Sequence, residues 1–338
     1  MTPGKLAHLL PAVLLLLAAR CTDELGVQPE SSSVPAVFVV NSLGENLSRI
    51  LLPDGTVAAD ALILGASPKG IAVGPDGRQA VIVSSLSNRV DVVDLDALAV
   101  LRSIDVGPGS NPYDVAIVGG AAYISCFLTD EVVHADIASG TIIRRIPVGR
   151  APEGLLYAED TGDLYVALTG YTPAGYLPGT VAVIATDSDT VRTRLTVGLN
   201  PQSFARAAGG IVHVVCTGNY GPEAGRLFQI EPTGPAVIDS LEIGGTPVCA
   251  LAFGDTWGIT AGYTGGLKVF DSAHDTAVEM AALLGETWFS ALAYDEADSV
   301  LYVSDFDDSV VHAVDPWADV HLRSFRVGHG PVALAVRR

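Results

Sequence analysis

Only 19 of the 338 residues are Lys or Arg, and nowhere do they cluster. A phosphate backbone is gripped by a basic patch or stripe, so this scarcity argues against a nucleic-acid partner. Asp and Glu number 38, giving a formal charge of −19, which favours solubility and is compatible with cation binding. Cysteine is scarce at four residues, with no Cys-x-x-Cys pair and no Cys/His grouping, so the usual zinc spacings are missing. Gly-x-Ser-x-Gly, a phosphate-binding loop and His-Glu-x-x-His are all absent, which removes the signatures of three common hydrolytic chemistries. No metal or other cofactor is implied.

Long apolar runs are also missing. The stretch from Leu9 to Ala19 is too short to span a bilayer, and it follows a positive charge at Lys5. Residues 1–20 therefore read as a signal peptide. Ala18-Ala19-Arg20-Cys21 resembles a bacterial lipobox, in which the cysteine is acylated after cleavage. Arg20 departs from that pattern, where Gly, Ala or Ser is usual, so plain secretion with cleavage near Ala19 is the alternative. Either route places the protein outside the cytoplasm, in the periplasm or cell envelope. Membrane contact is expected only through a lipid on Cys21. Residues 21–35 read as a polar tether with nothing to bury.

What the chain has in abundance is glycine, 36 residues, and proline, 20 residues, within a composition that is 49% hydrophobic. Many of them fall in one recurring stretch, clearest at Val148-Gly149-Arg150-Ala151-Pro152. Its glycines stand at 65, 107, 149, 198, 244, 285 and 328, so the period is 41 to 49 residues. In the sixth copy Trp288 stands where the proline is expected. Between copies the signals keep one order: a short apolar run, a Gly/Asp turn, a β-branched or aromatic run, a polar loop, an alternating run ending in an acid, and a final strand. Four antiparallel strands per forty-odd residues is a propeller blade, and stability then comes from blade packed on blade. The expected fold is all-β, a seven-bladed β-propeller over residues 36–338. After Gly328 only one strand remains, and Ala36 to Asn41 begins at the second strand of a blade. The C-terminal strand is therefore expected to complete the N-terminal blade and close the ring. A monomer is expected.

The second-strand tetrads Tyr302-Val303-Ser304-Asp305, Tyr123-Ile124-Ser125-Cys126 and Phe38-Val39-Val40-Asn41 resemble the Tyr-Val-Thr-Asn motif of YVTN/YncE-type β-propellers. The resemblance runs from Ala36 to Val336 and is specific for architecture, since the Trp-Asp signature of WD40 blades is absent. It implies an extracytoplasmic propeller and leaves its function open. Blades 5 and 6, with Val-Val-Cys-Thr and Ile-Thr-Ala-Gly, match poorly.

Candidate chemistry follows from the repeat. Each proline carries the chain from the rim of one blade to the centre of the next, so the residues after it are expected at the channel mouth. These are Lys69, Tyr113, Asp114, Glu153, Gln202, Ser203, Val248, Cys249, Phe289, Ser290 and Val332, polar on blades 2 to 5 and apolar on blades 6, 7 and 1. Such a rim suits a small-molecule pocket. Two long loops, Thr169 to Pro178 and Thr217 to Gly225, add Tyr171, Tyr176 and Tyr220 as stacking candidates. A non-catalytic binding or scaffolding role toward a small ligand or a protein partner is the leading expectation. The alternatives are a lactonase-type hydrolase using Asp114, Glu153 and His329 as acid/base groups, and a surface-layer or adhesion component. Asp305, Asp307 and Asp308 lack the glycine and bidentate Glu of a calcium loop. Cys216 and Cys249 lie on consecutive repeats, and an oxidising compartment permits a bridge between them; buried free thiols are the other reading.

Overall fold

The computed structural model describes residues 33–253, 256–280, 284–285 and 287–338. The expected signal peptide, Cys21 and the tether up to residue 32 lie outside them. Among the described residues all regular structure is β-strand, in seven four-stranded antiparallel sheets and one small hairpin. Each sheet is a blade whose strands run A to D from the axis outward. Blade 3 is representative, with Pro112–Val118, Ala121–Cys126, Glu131–Asp136 and Ile142–Pro147. The other innermost strands are Pro68–Val73, Pro152–Ala158, Pro201–Arg206, Pro247–Phe253, Phe289–Asp295 and Pro331–Arg337. Each of the seven touches the next around the axis, and Pro331–Arg337 touches Pro68–Val73 to complete the circle.

The strand period of two places alternate side chains on opposite blade faces, and both faces are covered. In Ala36–Asn41, Phe38 and Val40 pack against Ala80, Ile82 and Val93 of blade 2, while Val37 and Val39 pack against Tyr302 and Val311 of blade 7. Every residue of that strand is buried. Seven apolar clusters fill the seven interfaces between neighbouring blades. The core is thus a set of walls between blades.

Closure is as expected. Ala36–Asn41 pairs with Pro331–Arg337, Phe38 lying opposite Ala335 and Ala36 opposite Arg337. Polar contacts reinforce the seam. Arg337 donates to Asp96 of blade 2 at 2.8 Å and to the Val34 carbonyl at 2.7 Å. Arg338 donates to Asp295 of blade 7 at 2.8 Å.

The inner strands share one irregularity at their starts. Strand A begins at the proline itself in six blades and at Phe289 in blade 7, so the residues that follow belong to the strand. In all seven blades the pairing of strands A and B slips by one residue just there, for example between Pro152/Leu155 and between Pro201/Ser203. A bulge of this kind puts an extra residue on one strand and re-aims its side chain.

Candidate functional site

The seven bulges face the axis at the end of the ring where the B–C loops turn. They enclose a cavity of about 390 Å³ lined by residues from every blade. Lys69, Tyr113, Asp114, Glu153, Gln202, Ser203, Val248, Cys249, Ser290 and Val332 all line it, together with Tyr176 and Tyr220 from the long loops. Blades 2 to 5 supply its polar wall.

Glu153 dominates the electrostatics. It is only 7% exposed, and its Oε2 is buried with no hydrogen-bond partner among the described residues. Burial pushes its carboxyl up to about 8, offset in part by the Lys69 ammonium and the Tyr113 hydroxyl, while Asp114 adds to the rise. Lys69 is shifted downward by the same desolvation, against the pull of Glu153. Its Nζ sits 5.7 Å from the centroid of the Tyr113 ring, within cation–π range. The charge of Glu153 is in turn the main reason the Tyr113 hydroxyl is held well above its usual range, ahead of burial.

Asp114 has a different occupation. Its Oδ1 accepts from its own Val115 N–H at 2.8 Å, and its Oδ2 accepts from Leu155 N–H of blade 4 at 2.9 Å. Both donors sit at bulges, where the ladder leaves amides without strand partners. Asp114 therefore staples blade 3 to blade 4 at the axis. Burial lifts it to about 6, against the lowering effect of those two amides. Gln202 Nε2 donates to Tyr220 Oη at 2.9 Å and so ties the polar wall to the loop above it.

Above this wall the rings form an arc. Tyr113, Phe127, Tyr171, Tyr176, Tyr220, Tyr263, Trp288 and Phe306 follow one another with centroids 3.8 to 6.3 Å apart, from blade 3 round to blade 7. Tyr171 and Tyr176 face each other across the small hairpin of the blade 4 loop. Tyr263 stacks on Trp288 at 4.2 Å, and both line the cavity. Neither was among the sequence candidates, although Trp288 marks the one copy of the repeat that lacks its proline. Outside the arc, Leu43, Leu86, Leu128 and Leu177 project from the B–C loops of blades 1 to 4, each more than half exposed.

Several candidates are placed elsewhere. Phe289 is fully buried in the wall between blades 6 and 7. It pairs with Asp305 just as Pro247 pairs with Gly262, so Phe289 and not Trp288 occupies the proline's place, and Ser290 is the residue presented to the axis. Tyr171 belongs to the arc but does not line the cavity, and it is 42% exposed. His329 is exposed and absent from the cavity wall, and its carbonyl accepts from Gly44 N–H at 2.8 Å. The acid/base trio of Asp114, Glu153 and His329 is therefore not assembled. The Cys216–Cys249 bridge is not formed either. Cys216 packs in the wall between blades 4 and 5, while the Cys249 Sγ lies 3.8 Å from the Ala261 carbonyl on the channel wall. Burial raises both thiols to about 12. Asp305 is buried and accepts from Thr287 Oγ1 at 3.2 Å and from Asp308 N–H at 3.0 Å, capping its own loop. No set of three or more His, Cys, Asp or Glu residues is grouped for a metal ion among the described residues.

No family model matches the chain, and no curated protein matches it in sequence. Solved structures do. Hydrazine synthase of Kuenenia stuttgartiensis superimposes with a TM-score of 0.70 at 16% identity, over 79% of this chain and 88% of that one. A functionally unknown protein from Desulfotomaculum acetoxidans gives a TM-score of 0.72 at 13% identity, over 90% of this chain and 99% of that one. At such identities the likeness is one of fold, and the chain is a seven-bladed β-propeller.

Proposed function

We propose that the protein is an extracytoplasmic binding propeller that takes a small ligand at the mouth of its central channel. The observation that carries this reading is Glu153, a buried carboxyl with one oxygen that no described residue satisfies, set in a cavity walled by aromatic rings. A buried polar group left unpaired costs roughly 1–3 kcal/mol, and a ligand that supplied the missing donor would recover it. The signal-like N-terminus supports export, with attachment through Cys21 if that residue is acylated. A hydrolase loses support because His329 is absent from the cavity wall that holds Asp114, and Asp114 is engaged by two backbone amides.

The test is native mass spectrometry of the protein purified from its own cells, followed by thermal unfolding against a library of small polar and aromatic compounds. A retained mass, or an upward shift in Tm that Tyr220→Ala diminishes, is expected. An empty protein with a midpoint that no compound moves would remove the proposal. The four exposed leucines favour a second reading, in which a protein partner sits on the same face. Leu86→Asp combined with Leu128→Asp would then abolish partner binding and leave any small-molecule shift intact.

A further inference from the structure

We infer that the ligand of the channel mouth is a monovalent organic cation, an ammonium group held between the carboxyl of Glu153 and the tyrosine rings around it. The inference rests on the small-ligand reading above and names the ligand's chemistry. Three observations carry it. The first is a charge imbalance: the cavity wall carries two carboxyls, Asp114 and Glu153, against one ammonium, Lys69. With all three ionised, one negative charge is left over, and a single bound cation balances it. The second is the wall itself. Tyr176, Tyr220 and Tyr263 line the cavity, and the negative face of an aromatic ring attracts a desolvated cation. The site already uses this device once, with Lys69 over Tyr113. The third is Glu153, more than nine-tenths buried, with an oxygen that no described residue satisfies.

An empty site resolves the imbalance in another way, by keeping a proton on Glu153. The groups that face this carboxyl are Lys69, Tyr113 and Asp114 from the inner strands, and Tyr176, Tyr220 and Tyr263 from the loops. Burial is the largest influence on Glu153 and favours its neutral form. A cation that binds must displace that proton, so binding and proton release are coupled. Affinity then rises as pH climbs toward the carboxyl's value of about 8 and levels off above it.

Choline and tetramethylammonium are the probes, with the uncharged carbon isostere of choline, which has a tert-butyl group in place of trimethylammonium, as the control. Calorimetry in two buffers of different ionisation enthalpy reads affinity and proton release together. Binding of both cations is expected, tighter by about twentyfold near pH 8.5 than near pH 6.5, with proton release at the lower pH. Glu153→Gln should lose the pH dependence and weaken binding near pH 8.5 by about tenfold or more. Lys69→Met removes the competing ammonium but also the charge that partly offsets the rise of Glu153, so it should bind the cations more tightly only well above that carboxyl's value, near pH 10. Equal affinity for the isostere overturns the assignment, as does weaker cation binding in Lys69→Met near pH 10 with an unchanged Tm. So does an absence of cation binding at tens of millimolar. If neutral compounds still raise the Tm in that case, only the cation assignment fails. If nothing raises it, the small-ligand reading fails with it.

Discussion

Glu153 is held in its neutral form by burial, and this links the pH dependence of folding to one side chain. Its folded value of about 8 lies above its ordinary 4.5, so the native state keeps a proton that the unfolded chain gives up. The stability this group contributes is complete below about pH 4.5 and is lost as pH rises through about 8. Asp114 acts in the same direction over a narrower window, from 3.8 to about 6. Glu153→Gln removes the larger effect. The variant should therefore lose less stability than the parent between pH 5 and pH 8.5, the difference being of the order of a few kcal/mol. Thermal midpoints at both pH values measure it, and parallel curves for the two proteins would show Glu153 to be ionised throughout. Singling out Glu153 in the sequence took only its place after a proline. Its orphaned oxygen was not legible there, because that depends on which neighbours the ring brings within reach. His329 failed for a related reason: it precedes its proline by two residues, so its side chain stays outside the channel.

At the scale of the element, the inner strands are crowded at their bulged ends. Gly154 shows how tightly. A methyl group there would run into the Gln202 carbonyl of blade 5 and lie 3.0 Å from the Ser203 Cα. The glycine is needed for this close approach of two strands and not for a special backbone angle. Gly154→Ala should cost about 1–3 kcal/mol, measured by urea unfolding, because the obstacle is backbone and cannot swing aside. An unchanged midpoint would mean that the two strands have room to part. The bulges themselves were hidden in the sequence. Val-Gly-x-x-Pro fixes where a strand begins, whereas the one-residue slip comes from seven strands converging on one axis. The aromatic arc was half legible. Tyr171, Tyr176 and Tyr220 lie in loops whose extra length shows in the repeat spacing. Tyr263 and Trp288 lie in blade 6 and in the linker after it, where the repeat is most eroded, and so they read as lapses in the pattern.

The whole molecule depends on a seam. Each blade buries its faces only against its neighbours, so an opening between blades 1 and 2 or 7 and 1 exposes two apolar walls at once. Arg337 stands at that seam with a side chain only 2% exposed, over the Phe38 ring at 5.1 Å and bonded to Asp96. Arg337→Ala leaves Asp96 and the Val34 carbonyl without their donor and should destabilise the ring by about 3 kcal/mol. Arg337→Lys should restore only part of this, since one ammonium cannot reproduce the guanidinium's fork. Chemical unfolding of both variants decides it: an Arg337→Ala protein as stable as the parent would show that strand pairing alone closes the ring. The closure was the most legible long-range feature, because an incomplete repeat at each end leaves one consistent way to join them.

That same pairing sets Ala36 beside Arg337, so the strands that begin and end the ring meet on the face opposite the channel mouth. The propeller has no intrinsic first blade. A permutant in which a short linker joins residues 338 and 34, with new termini in the exposed turn between Asp187 and Asp189, would keep all seven walls and the cavity they surround. A cargo fused after Arg338 would hang away from the mouth, leaving the ligand's approach clear.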